Sequence, residues 1–110
     1  MEIEVLVVPD CPNEKVAAER LRQALDDVGL GEVGFTTRVI TERAEAERSG
    51  FTGSPTILID GRDPFAEPGR TPGLACRVYR TPEGLSGAPD IERLRQALAP
   101  DSARTHHDGL

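Results

Sequence analysis

Residues 3 to 8, IEVLVV, are apolar except for Glu4, mostly β-branched, and stop at Pro9. A short run of this kind reads as a strand buried on both faces, which belongs inside a sheet rather than at its rim. Helical spacing follows at once. From Pro12 onward, Ala17, Leu21, Ala24, Leu25 and Val28 fall three or four residues apart and form one stripe that closes at Gly29. A buried strand leading straight into an amphipathic helix makes an α/β architecture the expectation.

The remaining elements are shorter. VGFTTRVI, residues 33 to 40, is rich in β-branched positions and predicts a second strand. Thr41 is placed to cap a short charged helix over ERAEAERS that stops at Gly50. SPTILIDG, residues 54 to 61, predicts a strand opened by a proline. ACRVYRT, residues 75 to 81, predicts another, with Cys76 and Val78 on one face, toward the core. Ile91, Leu94, Ala97 and Leu98 mark a last helix. The expected order is β-α-β-α-β-β-α in a single domain, residues 1 to 99, with no internal repeat. Between the third and fourth strands lies RDPFAEPGRTPGL, thirteen residues with three prolines and two glycines, far longer than a hairpin needs. Such a segment is a lid or a mobile surface loop. Residues 100 to 110, DSARTHHDGL after Pro100, have no apolar periodicity and are expected to be a disordered tail.

Composition excludes several function classes. The formal charge is −6, and the twelve Arg and one Lys are spread along the chain, so no dense basic patch is available for nucleic acid. Four aromatic residues, Phe35, Phe51, Phe65 and Tyr79, give little for base stacking. No stretch approaches a membrane span or a signal peptide, and the expected location is the cytoplasm, where thiols stay reduced. The two cysteines, Cys11 and Cys76, are too few for a disulfide scaffold or a four-sulfur zinc site. His106 and His107 lie in the tail and carry no expected metal role.

The cysteine at the first strand-to-helix turn, in DCPNE, and the proline opening the third strand, in GSPTILIDG, together resemble the thioredoxin fold over residues 2 to 99. The chain is similar to small thioredoxin-like and glutaredoxin-like proteins, some catalogued under alkylmercury lyase and some carrying selenocysteine where this chain has Cys11. The resemblance implies a four-stranded mixed sheet flanked by helices, a reactive thiol at Cys11 and a cis peptide before Pro55. It implies thiol–disulfide exchange with a small thiol or a protein disulfide, and glutathione as the glutaredoxin co-substrate. The chain departs from the family's C-x-x-C pattern where Glu14 holds the place of the second cysteine. A carboxylate cannot resolve a mixed disulfide, so a monothiol route is favoured over a dithiol cycle.

If Cys11 is the N-cap, Pro12, Asn13 and Glu14 occupy the first three helical positions in a capping-box spacing. First-turn amides then favour a thiolate over a thiol by about 0.3–1 kcal/mol, opposed by the charges of Asp10 and Glu14. The bland alternative is a small buried hydrophobe. Ser54 and Pro55 are expected to position the partner, with the Ser54 backbone N–H and C=O free to pair with an extended substrate. Cys76, a possible second thiol, is expected at the opposite end of the sheet from Pro55, because an ordinary hairpin puts it there; it is read as a core residue beside Val78. Arg62, Arg70, Arg77 and Arg80 against Asp63 and Glu67 leave residues 62 to 80 at +2, either solvated arginines or a means of steering an anion. Two further functions stay open: a non-catalytic binding module, and capture of a soft metal such as mercury by Cys11 and Cys76.

Overall fold

The computed structural model describes residues 1–67, 69 and 71–99. Pro68, Arg70 and the tail from Pro100, with His106 and His107, lie outside the described residues.

The elements run β1 (Ile3–Val7), α1 (Glu14–Asp27), β2 (Thr36–Val39), α2 (Arg43–Ser49), β3 (Thr56–Ile59), β4 (Tyr79–Thr81), β5 (Gly84–Ser86) and α3 (Ile91–Leu98). β1 is the central strand of a mixed sheet in the order β2-β1-β3, parallel to β2 and antiparallel to β3. Its alternation divides the core. Ile3, Val5 and Val7 face α1 and α3, where they pack with Leu21, Ala24, Leu25, Ile57, Leu94 and Leu98. Leu6 faces the other way, into a cluster with Ile40, Ala46, Phe51 and Leu58 beneath α2. Full burial of each large aliphatic side chain stabilises by about 1.5–3 kcal/mol, so a strand covered on both sides organises the whole domain. The apolar run at residues 3 to 8 is explained by that position.

Local signals set the helix ends. α1 buries Ala17, Leu21, Ala24 and Leu25, and Gly29 follows it at φ 81. α2 closes at Gly50, φ 69, where the Phe51 N–H donates to the Ala46 carbonyl at 2.9 Å, the six-to-one bond of a left-handed helix terminus. That closure delivers Phe51 into the second cluster. The N-cap of α2 is Glu42 rather than Thr41, and no side chain caps it. α3 is capped by Asp90, whose carboxylate accepts from the Arg93 N–H at 3.2 Å. Arg95 ties α3 to α1 through Asp27 at 3.0 Å and also meets Glu92; these carboxylates raise its already high pKa.

The expected four-stranded sheet is not formed. Among the described residues β4 pairs only with β5, in a separate two-stranded hairpin around Pro82 and Glu83. The long connection takes the chain back to the start of β3 instead of folding it against that strand's outer edge. The 75–77 segment meets β3's leading residues through one isolated parallel bridge, Ser54 to Cys76. β5 went unanticipated because GLS is too short to carry a periodic signal.

Candidate functional site

The turn after β1 differs from the expected helix start. Asp10 takes φ 58, a left-handed conformation that Asp tolerates better than most residues, and it redirects the chain ahead of Cys11. Glu14 then donates its N–H to the Cys11 carbonyl at 3.3 Å, and Asn13 sits at φ −104, ψ 4. These are the marks of a type I turn with Pro12 at its second position, a place proline favours as strongly as the first position of a helix. Asn13, not Cys11, is the N-cap of α1, without a side-chain cap bond, and Glu14 is the first helical residue. Cys11 therefore stands two residues ahead of the cap. Among the described residues no hydrogen bond reaches its sulfur.

Cys11 is 8% exposed and belongs to the cluster between the sheet and the α1 and α3 helices. Pro12 is exposed; Asn13 and Glu14 are half-buried. The Asn13 carboxamide lies against Gly87, where a Cβ would overlap it. The β5-to-α3 connection thus passes over the Cys11 turn, and a side chain at position 87 would have to displace the Asn13 carboxamide.

Ser54 and Pro55 are buried and joined by a cis peptide. The Ser54 hydroxyl accepts the Val8 N–H at 3.0 Å, which pins the proline segment to the end of β1, three residues before Cys11. The Ser54 backbone is not free. Its N–H donates to the Ala75 carbonyl and its carbonyl accepts from Arg77, each at 2.9 Å, while Gly73 donates to the Phe51 carbonyl at 3.1 Å. Residues 73 to 77 form a strap along 51 to 54, filling the groups an extended partner was expected to use. Gly53, at φ 139, permits this approach: a Cβ there would lie 2.7 Å from the Arg77 Cβ.

The same strap relocates Cys76. It lies beside Ser54, at the level of Pro55 rather than at the far end of the sheet, because the long loop returns the chain to that level in a parallel sense. Cys76 is exposed and Val78 is 48% exposed, so the alternation in 75 to 81 is real but its phase is opposite to the expected one. Arg77 and Tyr79 point inward. Arg77 is 2% exposed and bonds Asp63 at 2.7 Å, the Phe65 carbonyl at 2.6 Å and the Thr56 hydroxyl at 3.3 Å, with its guanidinium 4.6 Å from the Tyr79 ring centre. The Tyr79 hydroxyl donates to the Pro55 carbonyl at 2.5 Å. A charged residue can occupy the inner face here because every contact it makes offsets its desolvation. Arg77 is consequently no surface arginine, and Arg80 lies 3.9 Å from Glu67. Of the four arginines expected to steer an anion, Arg62 is the described residue that is exposed without an ion pair; Arg70 lies outside the description.

The sequence reading took Asp63 and Arg77 for charges of the 62–80 segment and missed their buried pairing, and it missed the roles of Tyr79, Gly53 and Gly87. The glycines carried a weak signal, since Gly in or beside a strand often marks close backbone approach. Nothing in the one-dimensional pattern pairs Asp63 with Arg77. Among the described residues no three His, Cys, Asp or Glu side chains gather as a metal-ligand set, and no helix is long and apolar enough to cross a membrane. No family model, curated protein or solved structure matches the chain.

Proposed function

We propose that the chain is a thioredoxin-like protein that carries out thiol–disulfide exchange at Cys11. The observation that carries this reading is the 3.0 Å bond from the Val8 N–H to the Ser54 hydroxyl, which holds the Ser54–Pro55 segment against the strand end leading into the cysteine turn. The β2-β1-β3 order, with β3 antiparallel and helices on both faces, supports the same family. In the exchange, the Cys11 thiolate attacks one sulfur of a disulfide, of glutathione or of a protein, and the other sulfur leaves as a thiolate. Cys11 is nearly covered, so attack follows an opening of the 9–13 turn. The turn's backbone hydrogen bonding is sparse: Pro9 and Pro12 lack N–H groups, and a 3.3 Å bond spans Cys11 to Glu14, so the packing of Cys11 and Asn13 is what the opening gives up. Pairing of an extended partner with Ser54 requires release of the strap.

The burial of Cys11 favours a second reading, a binding module whose cysteine packs the core. Incubation of the reduced protein with glutathione disulfide, followed by peptide mass analysis, separates the two. Exchange predicts a mixed disulfide on Cys11 that Cys11→Ala abolishes and Cys76→Ser preserves. A folded Cys76→Ser protein that stays unmodified at Cys11 under conditions that modify a free thiol peptide refutes exchange and leaves the module.

A further inference from the structure

We propose that Cys76 is the resolving thiol for Cys11, carried on a strap that occupies the partner's place in the chain's own structure. The inference rests on the exchange reading above and extends it. Ser54 grips Ala75 through its N–H and Arg77 through its carbonyl, so the residue held opposite it is Cys76. The same Ser54 holds Val8 through its hydroxyl. One residue therefore ties the strand end that leads to Cys11 to the segment that carries Cys76. Glu14, at the usual place of a second cysteine, supplies no sulfur.

The strap is held on both sides of Cys76, by the backbone bonds of Gly73 and Ala75 before it and of Arg77 after it, and only the later side is also locked by a buried side chain. Arg77 is locked by Asp63, Phe65 and Thr56, whereas Thr71, Leu74, Ala75 and Cys76 are exposed. Cys76 is thus solvent-accessible and held at a fixed level. A disulfide needs Cα atoms about 4.4–6.8 Å apart, whereas the strap lies across the Ser54 segment from β1, two strand spacings or roughly 9.6 Å away. Closure then calls for the lightly bonded 9–13 turn to bring Cys11 outward toward the strap, while the Arg77 anchor stays in place.

The sequence of bonds is balanced with a low-molecular-weight disulfide as oxidant. The Cys11 thiolate attacks that disulfide and expels one thiolate, leaving a mixed disulfide. The Cys76 thiolate, having lost its proton to solvent, attacks the Cys11 sulfur and expels the second thiolate. The protein is oxidised by two electrons to a Cys11–Cys76 disulfide, and the small disulfide is reduced to two thiols.

The test treats the full chain and its Cys76→Ser variant with glutathione disulfide and maps adducts by peptide mass after acid quench. A tethered thiol acts at an effective concentration on the order of millimolar, so with reduced glutathione about tenfold below that, wild type should hold about tenfold less Cys11 adduct than Cys76→Ser. It should carry the internal disulfide instead. Equal adduct on Cys11 in both proteins, or disulfide-linked dimers through Cys76, overturns the proposal while leaving exchange at Cys11 intact. A Cys76→Ser protein with no adduct on Cys11 overturns both.

Discussion

Replacing Arg77 with methionine tests the anchor on which the site's geometry depends. The substitution keeps an unbranched, flexible side chain but removes the guanidinium, and with it the 2.7 Å ion pair to Asp63 and the bonds to the Phe65 carbonyl and Thr56 hydroxyl. Asp63 is left largely buried, its side chain 9% exposed, with the Phe65 N–H as a remaining donor at 2.8 Å. Removal of one member of a buried pair costs about 3–5 kcal/mol, chiefly because the other charge stays desolvated. With a urea dependence of about 1.5 kcal/mol per molar, the unfolding midpoint should fall by roughly 2–3 M. The assay is equilibrium urea unfolding followed by far-UV circular dichroism. Combining Arg77→Met with Asp63→Leu removes both charges and should recover much of the loss, a coupling read from the double-mutant cycle. A midpoint change below about 0.5 M for Arg77→Met, or a double variant no more stable than the single one, would refute the claim that this pair anchors the strap.

Further predictions concern the contacts around the cysteine turn. Ser54→Ala leaves the Val8 N–H without its acceptor and should cost about 1–3 kcal/mol, with faster hydrogen exchange at the Val8 amide as the local signature; unchanged exchange there would contradict the pinning role. Gly53→Ala places a Cβ against Arg77 at a positive φ, so it should destabilise by about 1–3 kcal/mol and speed exchange of the Ser54 and Arg77 amides, measured by NMR. Gly87→Ala drives a methyl into the Asn13 carboxamide, the end of a half-buried side chain that can swing aside, and should cost about 0.5–1.5 kcal/mol in thermal or urea unfolding. Adding Asn13→Ala to it should relieve most of that cost, and a purely additive pair would show that the two residues do not meet.

The contrast between α1 and the 75–81 segment shows where one-dimensional pattern suffices. In α1 the apolar residues outnumber other claims on one face, and the stripe through Ala17, Leu21, Ala24 and Leu25 can bury itself in only one orientation. In the 75–81 segment the apolar choice, Cys76 and Val78 inward, loses to Arg77 and Tyr79. The winning phase depends on partners far along the chain: Asp63 and Phe65 for the guanidinium, the Pro55 carbonyl for the phenol. A periodicity argument assigns no value to such partners, and an arginine with its charge and donors satisfied is not the arginine of a hydropathy scale. The cysteine turn failed for a different reason. Pro12 and Asn13 suit both a helix start and a type I turn, and the structure takes the turn, with Asp10 at φ 58 before it.

By itself the sequence determined the elements whose signals are local and sufficient: a central strand from IEVLVV, an amphipathic helix after it, a charged helix ended by Gly50, and a final helix marked by Ile91, Leu94 and Leu98. It also placed the two residue types of interest, a cysteine after the first strand and a proline before the third. Tertiary structure alone decided what surrounds them. It turned Cys11 into the core, filled the Ser54 backbone with residues 75 and 77, and brought Cys76 to the level of Pro55. Those outcomes follow from pairing across 20 or more residues. Which of two allowed pairings forms depends on how completely each satisfies buried polar groups, a property of assembled surfaces rather than of any local stretch of chain.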